Sequence, residues 1–127
     1  MGLAALAMVV VMLIAQSEVD RQTPVAMDWS QRGLSYGEGR AEVACMKEAV
    51  NHYEDCEGRA CRAQWGIFFA RCLERSSALE GRCVGVPDIK DKLQTVSWRE
   101  GYCRRLDQNS NAACLELAQW AHKFCLQ

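Results

Sequence analysis

Hydrophobic residues occur along this chain in two ways. From Leu3 to Ala15 they run unbroken, and no charged residue appears between Met1 and Ser17. After residue 40 they recur with helical period. Val43, Met46, Val50 and Tyr53 are spaced three, four and three apart, the stripe of an amphipathic helix, and Gly58 offers its stop. A second helix is predicted from Cys61 to Leu79, with Trp65, Phe68, Phe69, Cys72 and Leu73 on one face and Gly81 near its end. A third begins between Asp88 and Trp98, where Ser97 and Glu100 have capping-box spacing ahead of Tyr102 and Leu106. Residues 107–111, DQNSN, form a polar turn in which Asn111 can cap the next helix. The fourth helix, Ala112 to Leu126, carries Leu115, Leu117, Ala118, Trp120, Ala121 and Phe124 and is expected to be the most buried. No segment shows convincing period-two alternation. The predicted class is all-α, with about four helices in antiparallel hairpins and no sheet.

The N-terminal apolar run is thirteen residues long, short of the ~20 that a membrane-crossing helix needs. It fits the core of a secretory signal peptide, and Ala15-Gln16-Ser17 places cleavage after Ser17. No basic residue precedes the run; the first is Arg21. Residues 18–40 follow, with Pro24, Gly33, Gly37 and Gly39 and no sustained period, and read as an extended arm or pro-segment. Arg21, Arg32 and Arg40 are single-residue processing candidates there, and Trp29 is expected to dock on the helical body. Residues 41–127 make the cysteine-rich domain. The expected destination is extracellular, with no stable membrane insertion once the signal is removed.

All eight cysteines lie beyond residue 40, an even number suited to an oxidising compartment. Cys45, Cys56, Cys61, Cys72, Cys83, Cys103, Cys114 and Cys125 are largely eleven residues apart. Eleven residues turn a helix by about three full turns plus 20°, so such cysteines share a face but sit about 16 Å apart along the axis. That is far beyond the ~7 Å Cα limit of a disulfide. Each must therefore reach a neighbouring helix. A hairpin folded around Gly58 sets Cys56 against Cys61 beside the turn and Cys45 against Cys72 three turns away. Both pairs are centred on the same point of the chain. Of the remaining four, Cys114 and Cys125 share the fourth helix and cannot pair. Cys103 with Cys114 brackets the DQNSN turn and leaves Cys83 for Cys125. This is preferred over Cys83 with Cys114 and Cys103 with Cys125, which places the latter pair out of register.

Fifteen basic and sixteen acidic side chains leave a formal charge of −1, so no basic excess points to nucleic acid. Only two histidines are present. His52, in NHYEDC, is read as a partly exposed helix residue and His122 as packed or at a surface edge, so no catalytic residue is expected. Cysteines with ten residues between them on rigid helices splay ligands that zinc needs near 2.3 Å; no metal or cofactor is expected. Arg59, Arg62, Arg71, Arg75, Arg82, Arg99, Arg104 and Arg105 interleave with acids as a solvated face. Within it Arg71, Arg75, Arg104 and Arg105, with Trp98 and Trp120 as aromatic anchors, form the candidate protein-contact surface.

The paired cysteines from Cys45 to Cys72 resemble those of the coiled-coil-helix-coiled-coil-helix proteins of the mitochondrial intermembrane space, although those leave nine residues between cysteines and this chain leaves ten. The layout of signal, short arm and cysteine-rich helices is similar to that of con-ikot-ikot venom toxins. The expected function is a secreted, non-enzymatic helical binding protein acting on another protein, such as a receptor, channel or host factor, in the manner of a venom component or secreted effector. The first likeness implies the alternative of an intermembrane-space structural factor. A small secreted hydrolase is the third reading.

Overall fold

The computed structural model describes residues 8–10 and 25–127, and every regular element among them is helical. Residues 8–10 form a short exposed helical piece; the rest of the apolar run and the expected cleavage after Ser17 lie outside the described residues. The others are α1 (residues 25–37), α2 (Glu42–Tyr53), α3 (Arg59–Arg75), α4 (Lys92–Arg105) and α5 (Ala112–Cys125). Among the described residues no helix is long and apolar enough to cross a membrane.

Local chemistry fixes the boundaries. Gly58, at φ +89°, makes the sharp entry to α3, a conformation that side-chain-bearing residues resist. The second helix stops at Arg75 rather than Leu79. Ser76 turns extended because Ser77 is tied to the start of α2: its amide donates to Arg40 O at 2.8 Å, and its carbonyl accepts from Glu42 N at 2.9 Å. The third helix begins at Lys92, and Ser97 and Glu100 lie inside it. Its cap is Asp91, whose side chain accepts from Gln94 N at 3.1 Å. Asn111 caps α5 as expected, accepting from Cys114 N at 3.0 Å.

Helices α2 and α3 form an antiparallel hairpin; α5 packs on both and α4 on α5. The core draws Cys45, Met46, Ala49 and Val50 from α2, Phe68, Phe69, Cys72 and Leu73 from α3, and Ala113, Cys114, Leu117, Ala118 and Ala121 from α5, closed by Tyr102, Cys103 and Leu106. The buried face of α2 is Glu42, Cys45, Met46, Ala49 and Val50. Val43, expected on that stripe, is exposed, because Glu42 takes the inward position.

The 18–40 segment departs most from expectation. Over residues 25–37 it is helical rather than extended, and two close backbone approaches explain why. A Cβ added to Gly37 would lie 2.5 Å from the Cys72 carbonyl oxygen, and one at Gly33 would clash with the Phe68 carbonyl. Glycine at both positions lets α1 lie directly on α3. Trp29 docks as expected, with its ring 4.8 Å from that of Trp65, and Tyr36 sits 5.5 Å from Phe68. Of the processing candidates, Arg32 lies within α1 and Arg40 is held in the Ser77 bridge, unlike the loose loop tips where proteases cut. Arg21 is outside the described residues.

Four disulfides lock these helices: Cys45–Cys72, Cys56–Cys61, Cys83–Cys125 and Cys103–Cys114, with Cα separations of 5.8, 5.5, 5.3 and 6.0 Å. They are the pairs that the eleven-residue spacing selects. Cys45–Cys72 and Cys103–Cys114 are fully buried, whereas Cys56, Cys61 and Cys125 are half-buried and Cys83 is exposed.

One polar cluster lies inside this apolar frame. Glu42, 1 % exposed, accepts from the Arg82 guanidinium, from Leu79 N at 3.2 Å and from Tyr102 Oη at 2.6 Å. Burial, reinforced by the Glu42 carboxylate, pushes the Tyr102 phenol well above its ordinary range. Arg82 also lies over the Phe124 ring, 4.5 Å from its centroid. The start of α2, the loop after α3 and α4 thus meet at one carboxylate, and α5 joins them through Phe124 against Arg82.

Candidate binding site

The arginines and tryptophans proposed from sequence do not form one face. Trp98 is half-buried, stacked on Tyr102 at 5.2 Å and near His122 at 5.3 Å. Trp120 lies over Gly66, where an added Cβ would meet its indole at 2.5 Å. Positions 120 and 122 are about 200° apart on a helix, so the two tryptophans occupy opposite sides of α5. Arg71 is exposed and pairs with Glu74, and Arg75 is exposed at the end of α3. Arg104 is exposed near the end of α4, and Arg105 donates to Glu80 O. Both indoles are spent on packing, leaving the arginines without the aromatic anchors that would make them a hot spot.

The histidines are also accounted for by packing. His52 is exposed, stacked on Trp65 with centroids 4.3 Å apart, and its Nε2 is 3.1 Å from Glu48 Oε1. His122 is fully buried. Its Nε2 donates to Pro87 O at 2.7 Å, while Nδ1 has no hydrogen-bond partner. Among the described residues no three metal-ligating side chains converge.

The concave surface lies elsewhere. A shallow, wide-open groove of about 550 Å³ runs along α1, lined by Gln31, Arg32, Ser35, Tyr36, Glu48 and Phe68. Its position follows from the fold. Gly33 and Gly37 seat α1 on α3, and Glu48 of α2 forms part of the wall above the Phe68 floor. The polar lining carries both charges: Arg32 pairs with Asp28 at 3.1 Å and lies over the Trp29 ring at 4.8 Å, and Glu48 Oε1 lies 3.1 Å from His52 Nε2. Arg40 lies over Tyr36 at 4.1 Å. Such stacking holds an arginine in a fixed pose and is worth roughly 0.5–1 kcal/mol at an exposed site. Aromatic and arginine side chains in fixed poses are the composition of protein-binding hot spots, and an open groove suits a macromolecule better than an enclosed small ligand. Of the groove's α1 residues only Arg32 stands out in the sequence, as a processing candidate rather than as a contact. The available signal was the run Trp29, Gly33, Tyr36 and Gly37 at helical spacing, obscured by its glycines.

A smaller groove of about 260 Å³ lies at the far end of the hairpin, lined by Tyr53, Glu54, Cys56, Arg62, Ala112, Ala113 and Glu116. Tyr53 Oη donates to Glu116 there, and Asn111 Nδ2 to Glu54 Oε1 at 2.9 Å. Burial first, then the Glu116 hydrogen bond and charge, push the Tyr53 phenol from 10.0 up to about 12. Above pH 10 the unfolded chain releases this proton while the folded chain retains it. The Tyr53 contribution is therefore full below pH 10 and is lost as pH rises toward about 12. In an absorbance titration of folded protein, the difference between wild type and Tyr53→Phe should have its midpoint near 12; a midpoint at the ordinary phenol value would contradict the burial of this side chain and its contact with Glu116.

Comparison with protein-family models, curated proteins and solved structures finds no match.

Proposed function

We propose that this is a secreted, non-enzymatic binding protein that engages another protein through the groove along α1. The observation carrying this reading is the groove itself, a shallow, open surface in which half-buried Tyr36, packed on the core residue Phe68, lies beside the stacked Arg32 and Arg40 and Glu48. Four interhelical and turn-closing bridges fit residence in an oxidising compartment, and the uncharged apolar run up to Ser17 fits export. A rigid scaffold lowers the ordering cost of binding, which gives the bridges a role beyond stability.

The test is affinity capture from extracellular fluid and membrane fractions by the oxidised protein. Ser35 is exposed on the groove wall, so Ser35→Arg fills the groove without touching the core. A species retained by wild type and by Asn109→Arg, in the exposed turn before α5, should fall at least about tenfold with Ser35→Arg. Equal recovery by both variants overturns the groove as the site.

A second reading, an intermembrane-space structural factor, is favoured by the two bridges that staple α2 to α3. Subcellular fractionation separates the two.

A further inference from the structure

The surface formed by residues 84–96 has a different character from the groove. Val84, Ile89, Leu93 and Val96 are 79, 50, 85 and 55 % exposed. This is not the exposure of a loose loop. Arg105 donates to Glu80 O, Arg82 pairs with Glu42, Cys83 is bonded to Cys125 and His122 donates to Pro87 O. These fastenings hold residues 80–87, and helix α4 holds Leu93 and Val96, while the apolar groups face water, a combination that marks an interaction surface.

The pattern of charge specifies what covers it. Within α4, Lys92, Val96 and Glu100 are spaced four and four apart and Leu93 lies between Lys92 and Val96 in sequence, so these four form a stripe on one face of the helix, with Ile89 in the turn before it. Across residues 84–100 the charged side chains are Asp88, Lys90, Asp91, Lys92, Arg99 and Glu100, balanced in sign. Asp88 and Asp91 each accept a local backbone amide. Among the described residues Lys90, Lys92, Arg99 and Glu100 enter no ion pair. A balanced face selects neither a strongly acidic nor a strongly basic partner. With a basic residue at one end of the stripe and an acidic one at the other, it is complementary to its own two-fold copy, as an isologous contact requires.

We propose that this face binds a second copy of the chain, with the two α4 helices antiparallel and Val96 facing Val96. Lys92 lies four residues before that point and Glu100 four after it, so each Lys92 meets Glu100 of the second copy. The two ion pairs flank a strip about 12 Å long that buries Leu93 and Val96 from both sides. The contact is independent of the α1 groove. A dimer displays two grooves, so any partner that is itself multivalent or surface-bound is held with higher avidity.

Sedimentation equilibrium of the oxidised chain tests this. Reversible dimerisation is expected within about 1–100 µM. Leu93→Glu, at a side chain with almost no intramolecular contact, should leave a monomer. Lys92→Glu and Glu100→Lys should each weaken the dimer by roughly tenfold, and the double exchange should restore it, because only the two-fold arrangement places those residues opposite each other. Far-UV circular dichroism checks that each variant keeps its helices. A wild-type chain that stays monomeric throughout overturns the proposal, as does a dimer indifferent to Leu93→Glu or a double exchange that rescues nothing. Loss of a heterologous captured protein on Leu93→Glu, with wild type monomeric, assigns the face to that protein and overturns the dimer.

Discussion

Glu42→Ala is expected to destabilise the fold by about 3–5 kcal/mol, because it strands a buried cation. Glu42 and Arg82 are 1 and 8 % exposed, and the carboxylate also receives Tyr102 Oη and Leu79 N. Removing it leaves three donors facing an apolar interior, each carrying a desolvation penalty. The direction does not hold for removing the pair together. A Glu42→Leu, Arg82→Met double variant takes both charges out of the core and should recover much of the loss, since replacement of a buried ion pair by apolar groups is often near neutral. Urea unfolding of the two single variants and the double variant measures this coupling. Simple addition of the single effects would show that the charges do not depend on each other.

The second large effect concerns the bridges. Removing Cys45–Cys72, with 27 residues of sequence separation, frees the unfolded chain by about 3–4 kcal/mol in the loop-entropy account. Both cysteines are fully buried, so alanine at these positions also leaves cavities. Cys56–Cys61 closes a separation of only 5 and should contribute about 2 kcal/mol. Cys83–Cys125 closes the longest loop, with a separation of 42, and should contribute about 4 kcal/mol by entropy alone. Its partly exposed sulfurs leave little cavity when removed. Paired alanine variants compared by denaturant unfolding should therefore rank Cys56–Cys61 well below the other two. A short-loop bridge as costly to remove as Cys45–Cys72 would contradict the loop-entropy explanation.

The bridge register was legible in the sequence because it follows from helical spacing together with the turns at Gly58 and DQNSN, even though Cys56 and Cys83 lie beyond the helix ends. Eleven residues return a side chain to nearly the same face, so the spacing records which cysteines must look outward from their own helix. The Asn111 cap was legible for a similar reason, since its geometry is complete within four residues. Other features needed information from distant parts of the chain. Gly33 and Gly37 look like helix breakers, and their unfavourable propensity is offset only because Phe68 and Cys72 bring the α3 backbone against them. Asp91–Gln94 and Ser97–Glu100 have the same spacing, and the local sequence alone does not choose between them; in the fold it is Asp91 that accepts from Gln94 N. Glu42 takes the buried position beside Val43 because Arg82 and Tyr102, 40 and 60 residues away, supply its partners. The tryptophans misled for a related reason. Trp120 looks like a surface anchor until Gly66, on another helix, provides the space that it covers.

The fold rests on sulfur pairs that join neighbouring helices in one register, and peptide mapping of the unreduced natural protein tests that most directly. Proteolytic fragments should be linked as Cys45–Cys72, Cys56–Cys61, Cys83–Cys125 and Cys103–Cys114, with no free thiol. Links from Cys83 to Cys114 and from Cys103 to Cys125, or eight unmodified thiols, would contradict it.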